Sequence, residues 1–263
     1  MKFADVIHVF KAKPKISGPT IAIINKSKFI TEKDITPVIK ALQTQLDRDF
    51  LPVWGLTATL IYAEEHSIPK DVWTIYLLDV PDTEGALGYH EKDTSGIYPT
   101  AKVFVGLDIQ YKLSWTVTLS HELLEMVADP NINLTAFAQT GNTTGILFAY
   151  EVCDACENDK FGYRINGVLV SDFVYPSWFE SFWKPKSVKF DHMGLVSKPF
   201  ELIAGGYIGY FKVGPDSKGW QQTFADKPSQ RFLLKQQRNS RTFQRIHKEM
   251  PVGWIIDPNV FDK

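Results

Sequence analysis

Apolar positions in the first 110 residues form short strand-like runs and one helical stripe. The runs that predict strands are rich in β-branched and aromatic residues, and they lie at 20–27, 58–65, 72–80 and 101–109. Between the first two runs a helix is predicted, starting at about Thr31 or Thr36 and ending at Phe50. Its apolar residues recur at helical spacing: Ile35, Val38, Ile39, Leu42, Leu46 and Phe50. Pro37 suits the first turn of that helix.

Two further elements complete this pattern. The segment ALGYHE (86–91) lies between a turn and a polar loop, which predicts an edge strand. The segment from Trp115 to Asp129 carries apolar residues on more than one face and precedes Pro130, so it is predicted to be a buried helix that ends there.

The chain changes character after residue 130. Short aromatic pieces, glycines and prolines predict an irregular half with a small hairpin at 163–170 around Asn166-Gly167. A basic helical segment is predicted at 231–250. The expected class is α/β (α+β), with an N-terminal subdomain at 1–130 and an irregular C-terminal subdomain at 131–263. The first holds a mixed twisted sheet, a backing helix and the helix at 115–129.

Composition limits the partners. The 263 residues include 29 basic and 30 acidic ones, so no overall positive field would attract nucleic acid. No apolar run approaches the ~20 residues that span a bilayer. The patch at 6–10 is shorter than the ~7–15-residue apolar core of a signal peptide. We therefore expect a soluble chain, either cytoplasmic or part of an exported or viral assembly.

The stretch SHELLEMVADPNIN (120–133) carries the strongest chemical signal. His121 and Glu125 are one helical turn apart, so their side chains share a face and both could bind one ion. Glu122 is rotated away from them, which suits a general base acting on a metal-bound water. A short motif of this kind also occurs in helices where histidine and glutamate simply form a hydrogen bond.

A catalytic ion needs further ligands. Asp129 lies one turn beyond Glu125. The run YEVCDACEND supplies four more carboxylates within nine residues, and they are costly to bury together unless a cation neutralises them. They are Glu151, Asp154, Glu157 and Asp159. His192 is a weaker candidate. Zinc is the first expectation, with calcium or manganese as alternatives because carboxylates outnumber histidines.

Cys153 and Cys156 are the only cysteines. Their spacing is compatible with a local disulfide, a redox pair or two unpaired thiols, whereas a zinc knuckle would need a second pair. Acidic neighbours would raise the thiol pKa values, which disfavours redox chemistry.

These motifs carry a resemblance to known families. The strand and helix order of residues 20–129 resembles the upper half of a zincin of the metzincin type, in which an edge strand lines the substrate cleft. Glu125 stands where that family has its second histidine, and Ala128 and Asn131 replace its glycine and third histidine. Met193 in FDHMG could serve as the Met-turn.

The pattern SHExxExxx[DN]PxxN followed by ExxDxC is similar to uncharacterised bacterial proteins and to the plant EXORDIUM (phosphate-induced) family. It spans Ser120 to Asn133 and then Glu151 to Cys156. This resemblance implies a zincin-like fold in which Glu125 is an accepted ligand.

The hypothesis is a metal-dependent peptidase that acts on a polypeptide. His121 and Glu125 bind the ion with Glu151 or Asp154, Asp129 is a further candidate ligand, and Glu122 is the base. Tyr163 or Tyr175 would donate to the oxyanion.

The alternative is a non-enzymatic assembly protein, such as a component of a phage particle or secretion machine, in which the ion is structural. Exposed aromatic residues in 173–183 would favour that alternative, whereas burial of those residues would indicate ordinary packing.

Overall fold

A computed structural model describes residues 17–82, 87–215 and 217–225. The N-terminal patch and the predicted basic helix at 231–250 lie outside these ranges. The described residues contain helices, one mixed sheet and two antiparallel sheets, so the α+β class is confirmed.

Five strands form one mixed sheet in the order β2-β1-β3-β5-β4. They are β1 (Thr20–Asn25), β2 (Thr59–Ala63), β3 (Trp73–Leu78), β4 (Gly88–Lys92) and β5 (Pro99–Phe104). The first four in that order run parallel, and β4 pairs antiparallel with β5 at the edge. The predicted edge strand is therefore confirmed, and it begins two residues later than the sequence indicated.

The predicted N-terminal helix consists of three consecutive pieces. They are α1 (Glu32–Thr44), a π-helical segment (Gln45–Phe50) and α2 (Leu51–Trp54). The helix begins at Glu32 because the Asp34 carboxylate accepts the backbone N–H of Thr31 at 2.8 Å and thereby caps the first turn. Pro37 consequently lies inside the helix, so its predicted place in the first turn was wrong.

The predicted strand at 101–109 is correct only in its first part. β5 ends at Phe104, and the chain continues as helix α3 (Val105–Gln110). Phe104 pairs with Leu78, the last residue of β3, so β5 has no ladder partner on that side beyond this point. A Cβ atom at Gly106 would come within 2.3 Å of the Asp79 carbonyl oxygen, so glycine allows the close turn there.

Helix α4 (Trp115–Ala128) is the predicted buried helix. It packs against β5 and β4, and all its residues from Val117 to Ala128 are buried. The backbone leaves the helical conformation at Asp129, just before Pro130. At the other end, the Asp159 carboxylate accepts the backbone N–H of Ser114, 2.7 Å away, and so stabilises the start of the helix.

The C-terminal half holds a second sheet that the sequence analysis missed. Its antiparallel order is β11-β10-β7-β6. The strands are β6 (Thr135–Gln139), β7 (Gly145–Ala149), β10 (Tyr207–Val213) and β11 (Trp220–Phe224). The predicted hairpin is confirmed as β8 (Tyr163–Ile165) and β9 (Val168–Val170), with positive φ at Asn166 and Gly167.

Both halves contribute to one hydrophobic cluster. It joins Ile21 and Leu42 of the first half to Trp178 and Ile208 of the second. Within the described residues, no helix combines the length and apolar character that crossing a bilayer requires.

Candidate metal centre

Helix α4 places His121 and Glu125 side by side. The His121 Nε2 atom lies 2.9 Å from Glu125 Oε2. The one-turn spacing puts both groups on the same face, and that face is directed into the protein, towards the loop that follows β7. The two strongest sequence candidates therefore meet at atoms that can bind a cation.

The loop after β7 brings carboxylates to the same place. Asp154 begins a short 3₁₀ turn, and its Oδ1 atom lies 3.2 Å from His121 Nε2. The backbone N–H of Cys153 donates to Glu125 Oε1 at 3.1 Å, which fixes the loop against α4. Glu151, Glu125 and Asp154 each offer an oxygen within 4.8 Å of the others. The structure thus joins two motifs that are separated by about twenty-five residues in sequence.

These donors are deeply buried. His121, Glu125 and Glu151 are 2 % exposed, and Asp154 is 6 % exposed. Carboxylates held this close in a low-dielectric interior repel one another strongly, and bound protons or a cation must offset that repulsion. One imidazole and three carboxylates form a donor set that suits zinc, and it also suits manganese or calcium. The residues present therefore fit a divalent ion.

Glu122 faces the edge strand, and one of its carboxylate oxygens also lies within 4.8 Å of a Glu125 oxygen. Its Oε2 atom lies 3.7 Å from Nδ1 of His90, which is a buried residue of β4. Gly88, two residues earlier on the same strand face, leaves room for the carboxylate: a Cβ atom there would lie 3.0 Å from Glu122 Oε1. The edge strand therefore contacts Glu122 at two positions.

Sequence reasoning assigned no role to His90, although it lies in the predicted edge strand. The available signal was the alternation of Gly88 and His90 along that strand, which places both on one face. Tyr207 of β10 was also missed. Burial and the charges of Asp154 and Glu157 raise the pKa of Tyr207, so its phenol stays neutral beside the acidic group.

Asp129 has a different set of contacts. Its two carboxylate oxygens accept the backbone N–H groups of Asn133 and Leu134, at 3.1 and 3.0 Å. These bonds stabilise the turn after α4. Asp129 is not in any of the ligand groups found among the described residues, and its proposed ligand role stays a prediction.

Both cysteines are unpaired thiols, so the disulfide alternative was wrong. Each is buried, and burial raises the pKa of both thiols, with the Glu125 charge adding to the effect at Cys153. Cys153 Sγ also lies within 4.8 Å of ligand atoms of His121 and Glu125.

The two tyrosines proposed as oxyanion donors and the weaker candidate ligand His192 belong to another group of side chains. Tyr163 donates its hydroxyl to Asp49 Oδ2 at 2.9 Å. The Tyr175 hydroxyl lies 3.4 Å from His192 Nδ1, and His192 Nε2 lies 3.9 Å from Asp49 Oδ2. Met193 is exposed. The structure therefore places Tyr163, Tyr175 and His192 around Asp49.

Comparisons of the chain with protein-family models, with curated proteins and with solved structures found no match.

Proposed function

We propose that this chain is a metal-dependent peptidase whose ion is held by His121, Glu125, Asp154 and Glu151. The observation that carries the proposal is the position of His121 Nε2, 2.9 Å from one carboxylate oxygen and 3.2 Å from a second that comes from a distant loop. Hydrogen bonding within one helix would explain the first contact alone. The second contact, together with Glu151, supports a site built for a cation.

A divalent ion held there would supply Lewis acidity, polarising a carbonyl group and lowering the pKa of a water molecule toward about 7. The chain itself supplies the proton acceptor. Glu122 follows His121 directly, so its carboxylate leaves α4 on an adjoining face and can take a proton from water. Gly88 and His90 confine that carboxylate, which favours one orientation over several.

The arrangement of the first sheet gives further support. β4 is an antiparallel edge strand packed against α4, and the zincin resemblance gives such an edge strand the role of lining the substrate cleft. An extended polypeptide could pair along such an edge. The resemblance to zincins and to EXORDIUM-like proteins therefore remains part of the proposal, with zinc as the first expected ion.

The test is metal content followed by digestion. The purified chain should carry a divalent ion by elemental analysis and should cleave denatured casein until a chelator is added. Glu122→Gln should remove cleavage and leave the ion at His121 in place. Equal metal in wild type and His121→Ala would refute the site, and His66→Ala is a matched control because His66 is exposed.

A second candidate is an assembly protein in which the ion only stabilises the fold. The deep burial of every donor favours it, because structural sites are closed whereas catalytic sites keep an open position. The aromatic stretch supports this candidate less than expected: Trp178 and Phe179 lie in the core, and Phe182 is 73 % exposed. Bound metal without casein cleavage would favour this candidate, with protein subunits as its partners.

A further inference from the structure

A second group of potential ligands adjoins the proposed centre. His90, Glu122 and Glu125 each offer one ligand atom, and these atoms lie within 4.8 Å of one another. Glu125 also belongs to the group with Glu151 and Asp154. The Glu125 carboxylate is therefore shared between two neighbouring sets of donors. The first set faces the loop after β7, and the second set faces the edge strand.

His90 makes one ring contact of the kind that metal-binding histidines also make. Its Nε2 atom lies 3.3 Å from the backbone carbonyl oxygen of Asp129. A carbonyl oxygen only accepts hydrogen bonds, so the proton of a neutral imidazole is on Nε2 and the Nδ1 lone pair is directed elsewhere. Histidines that bind metals characteristically donate their other ring N–H to a carbonyl or carboxylate in this way.

Nδ1 of His90 is the ring nitrogen nearer to Glu122. The distance of 3.7 Å from Nδ1 to Glu122 Oε2 is longer than a hydrogen bond. Two ligand atoms that bind the same ion at about 2.1 Å lie about 3 to 4 Å apart, depending on the angle between the two bonds. The separation of Nδ1 and Oε2 is therefore suited to an ion between them.

We propose that His90, Glu122 and Glu125 form a second cation locus, so that the centre takes two divalent ions with Glu125 as the shared carboxylate. Bridging carboxylates hold paired ions about 3.5 to 4 Å apart in two-metal sites. Glu122 would bind through Oε2, and Oε1, which faces Gly88, would remain available to accept a proton. The inference goes beyond the proposed function, because two ions could bind whether or not a peptide bond is cleaved.

Burial explains why the second locus would form at this edge. His90, Glu122 and Glu125 are all buried, and β4 and α4 hold them from two independent elements. Gly88 matters here, since a Cβ atom at that position would lie 2.9 Å from Glu122 Cγ and would displace the Glu122 side chain. The donors are thus fixed by a strand and a helix, with no loop to order on binding.

The experiment uses Mn²⁺ as the probe. The full chain is stripped with a chelator, titrated with Mn²⁺, and analysed for bound ion per chain by elemental analysis and for ion pairing by electron paramagnetic resonance. Wild type should bind two ions and show the spectrum of a spin-coupled pair. His90→Ala and Glu122→Gln should each bind one ion and show the six-line spectrum of isolated Mn²⁺.

Controls separate this inference from the proposed function. Glu122→Gln keeps the size of the side chain, so it serves if His90→Ala does not fold, and His66→Ala should retain two ions. One ion per wild-type chain would overturn the second locus even if casein is cleaved. Two uncoupled ions, or two ions that persist in both variants, would overturn it as well. Two coupled ions without cleavage would support it and refute only the peptidase.

Discussion

Among the described residues, two groups of acidic and histidine side chains are buried or half-buried, and different kinds of contact hold them. In the first, the α4 cluster, the side chains His121, Glu125 and Asp154 face one another at 2.9 and 3.2 Å. In the second, the Asp172 cluster, Asp172 and Asp191 accept backbone N–H groups, and Asp49 accepts from the side chains of Arg48 and Tyr163. The Asp172 cluster comprises Asp49, Tyr163, Asp172, Tyr175, Asp191 and His192.

The contacts of the Asp172 cluster are those of a folded loop. Asp191 accepts the N–H groups of Leu195 and Val196, at 2.8 and 3.1 Å. Asp172 Oδ1 accepts those of Phe173 and Met193. Carboxylates used in this way stabilise backbone turns.

The difference shows how similar composition leads to different roles. Both clusters contain histidine and several carboxylates, but in the α4 cluster the carboxylates converge on an imidazole nitrogen. Convergence of this kind supports the proposed cation site, whereas dispersal over backbone donors is typical of a structural network. The comparison predicts that the two clusters respond differently to chelators, to substitution and to pH.

Removing metal should have the largest effect, and only through the α4 cluster. An ion that binds the folded state alone stabilises it by about 4 kcal/mol at a concentration of 1,000 times its Kd. Thermal unfolding with zinc or manganese, and again with excess chelator, should therefore show a large fall in Tm for wild type. His121→Ala should lose the part of the metal-dependent shift that comes from the α4 cluster and keep at most the part from the second locus, whereas His192→Gln should keep the full shift. A shift lost equally in both variants would remove the distinction between the clusters.

The Asp172 cluster should instead respond to pH. Burial, followed by the charge of Asp191, raises the pKa of Asp172 from 3.8 to about 8. The folded state then holds a proton that the unfolded chain releases above about pH 4, so this contribution to stability falls as pH rises from about 4 through 8. Each pKa unit corresponds to about 1.4 kcal/mol, so the change is on the order of a few kcal/mol.

Asp172→Asn tests this directly, because the amide resembles the protonated acid and keeps the oxygen that accepts from Phe173 and Met193. Urea unfolding at several pH values should show that the free energy of unfolding of the variant increases relative to that of wild type as pH increases. Ser171→Ala is the control, because it changes the neighbouring residue and removes no titrating group. The difference in free energy of unfolding between this variant and wild type should be constant with pH. If the free energies of unfolding of Asp172→Asn and wild type changed in parallel with pH, the pH dependence could not be assigned to Asp172.

Gln45 links the two clusters and should show a smaller effect. Its Nε2 atom donates to the Tyr163 hydroxyl at 3.1 Å and to the Ser171 carbonyl at 2.9 Å. Its Oε1 atom accepts from Ser120, the residue before His121, at 2.7 Å. Loss of this buried amide leaves partners unsatisfied, which should cost about 2 kcal/mol in Gln45→Ala.

The measurement is the free energy of unfolding in urea together with bound metal. Ser120→Ala removes one of these bonds and should cost less. Both variants should retain the ion, since neither residue is among its proposed ligands. Loss of metal from Gln45→Ala would show instead that the network also positions the α4 cluster.

The parts of the fold that could be predicted depend on local patterns. The strands β1 to β3 and the first part of β5 followed from runs of β-branched and aromatic residues, and β4 followed from its place between a turn and a polar loop. Helix α4 followed from its apolar faces and Pro130, and the hairpin at 163–170 followed from Asn166-Gly167. The second sheet could not be predicted in the same way, because β7 pairs with β10 about sixty residues later and its strands are short and partly exposed. Pairing over that distance depends on the packing of the whole chain.

The same limit applies to the candidate site. His121 and Glu125 could be placed together because helical spacing determines their separation. Asp154 was a candidate for its carboxylate alone, and its approach to His121 depends on how the loop after β7 folds back. His90 was missed because its relation to Glu122 arises from packing of β4 against α4, which no local pattern contains. The π-helical segment that directs Gln45 and Asp49 to the second half was likewise unpredictable from a regular helical stripe.

The smallest expected effect concerns His192. Burial lowers the pKa of its imidazole, partly opposed by the charge of Asp49. The unfolded state therefore binds a proton more readily, so the stability from this residue is present above pH 6.5 and is lost as pH falls toward 5. The ring is partly solvated, which keeps the effect below about 1 kcal/mol.

His192→Gln should reduce the loss of stability between pH 7 and pH 5 relative to wild type, measured by urea unfolding of metal-free protein so that the α4 cluster contributes equally to both. Metal content at pH 7 should be unchanged, because His192 contacts Asp49 and the tyrosines and makes its contacts away from His121. An identical pH dependence would show that His192 is solvated like a surface histidine. A loss of metal would instead make His192 a ligand and would join the two clusters into one site.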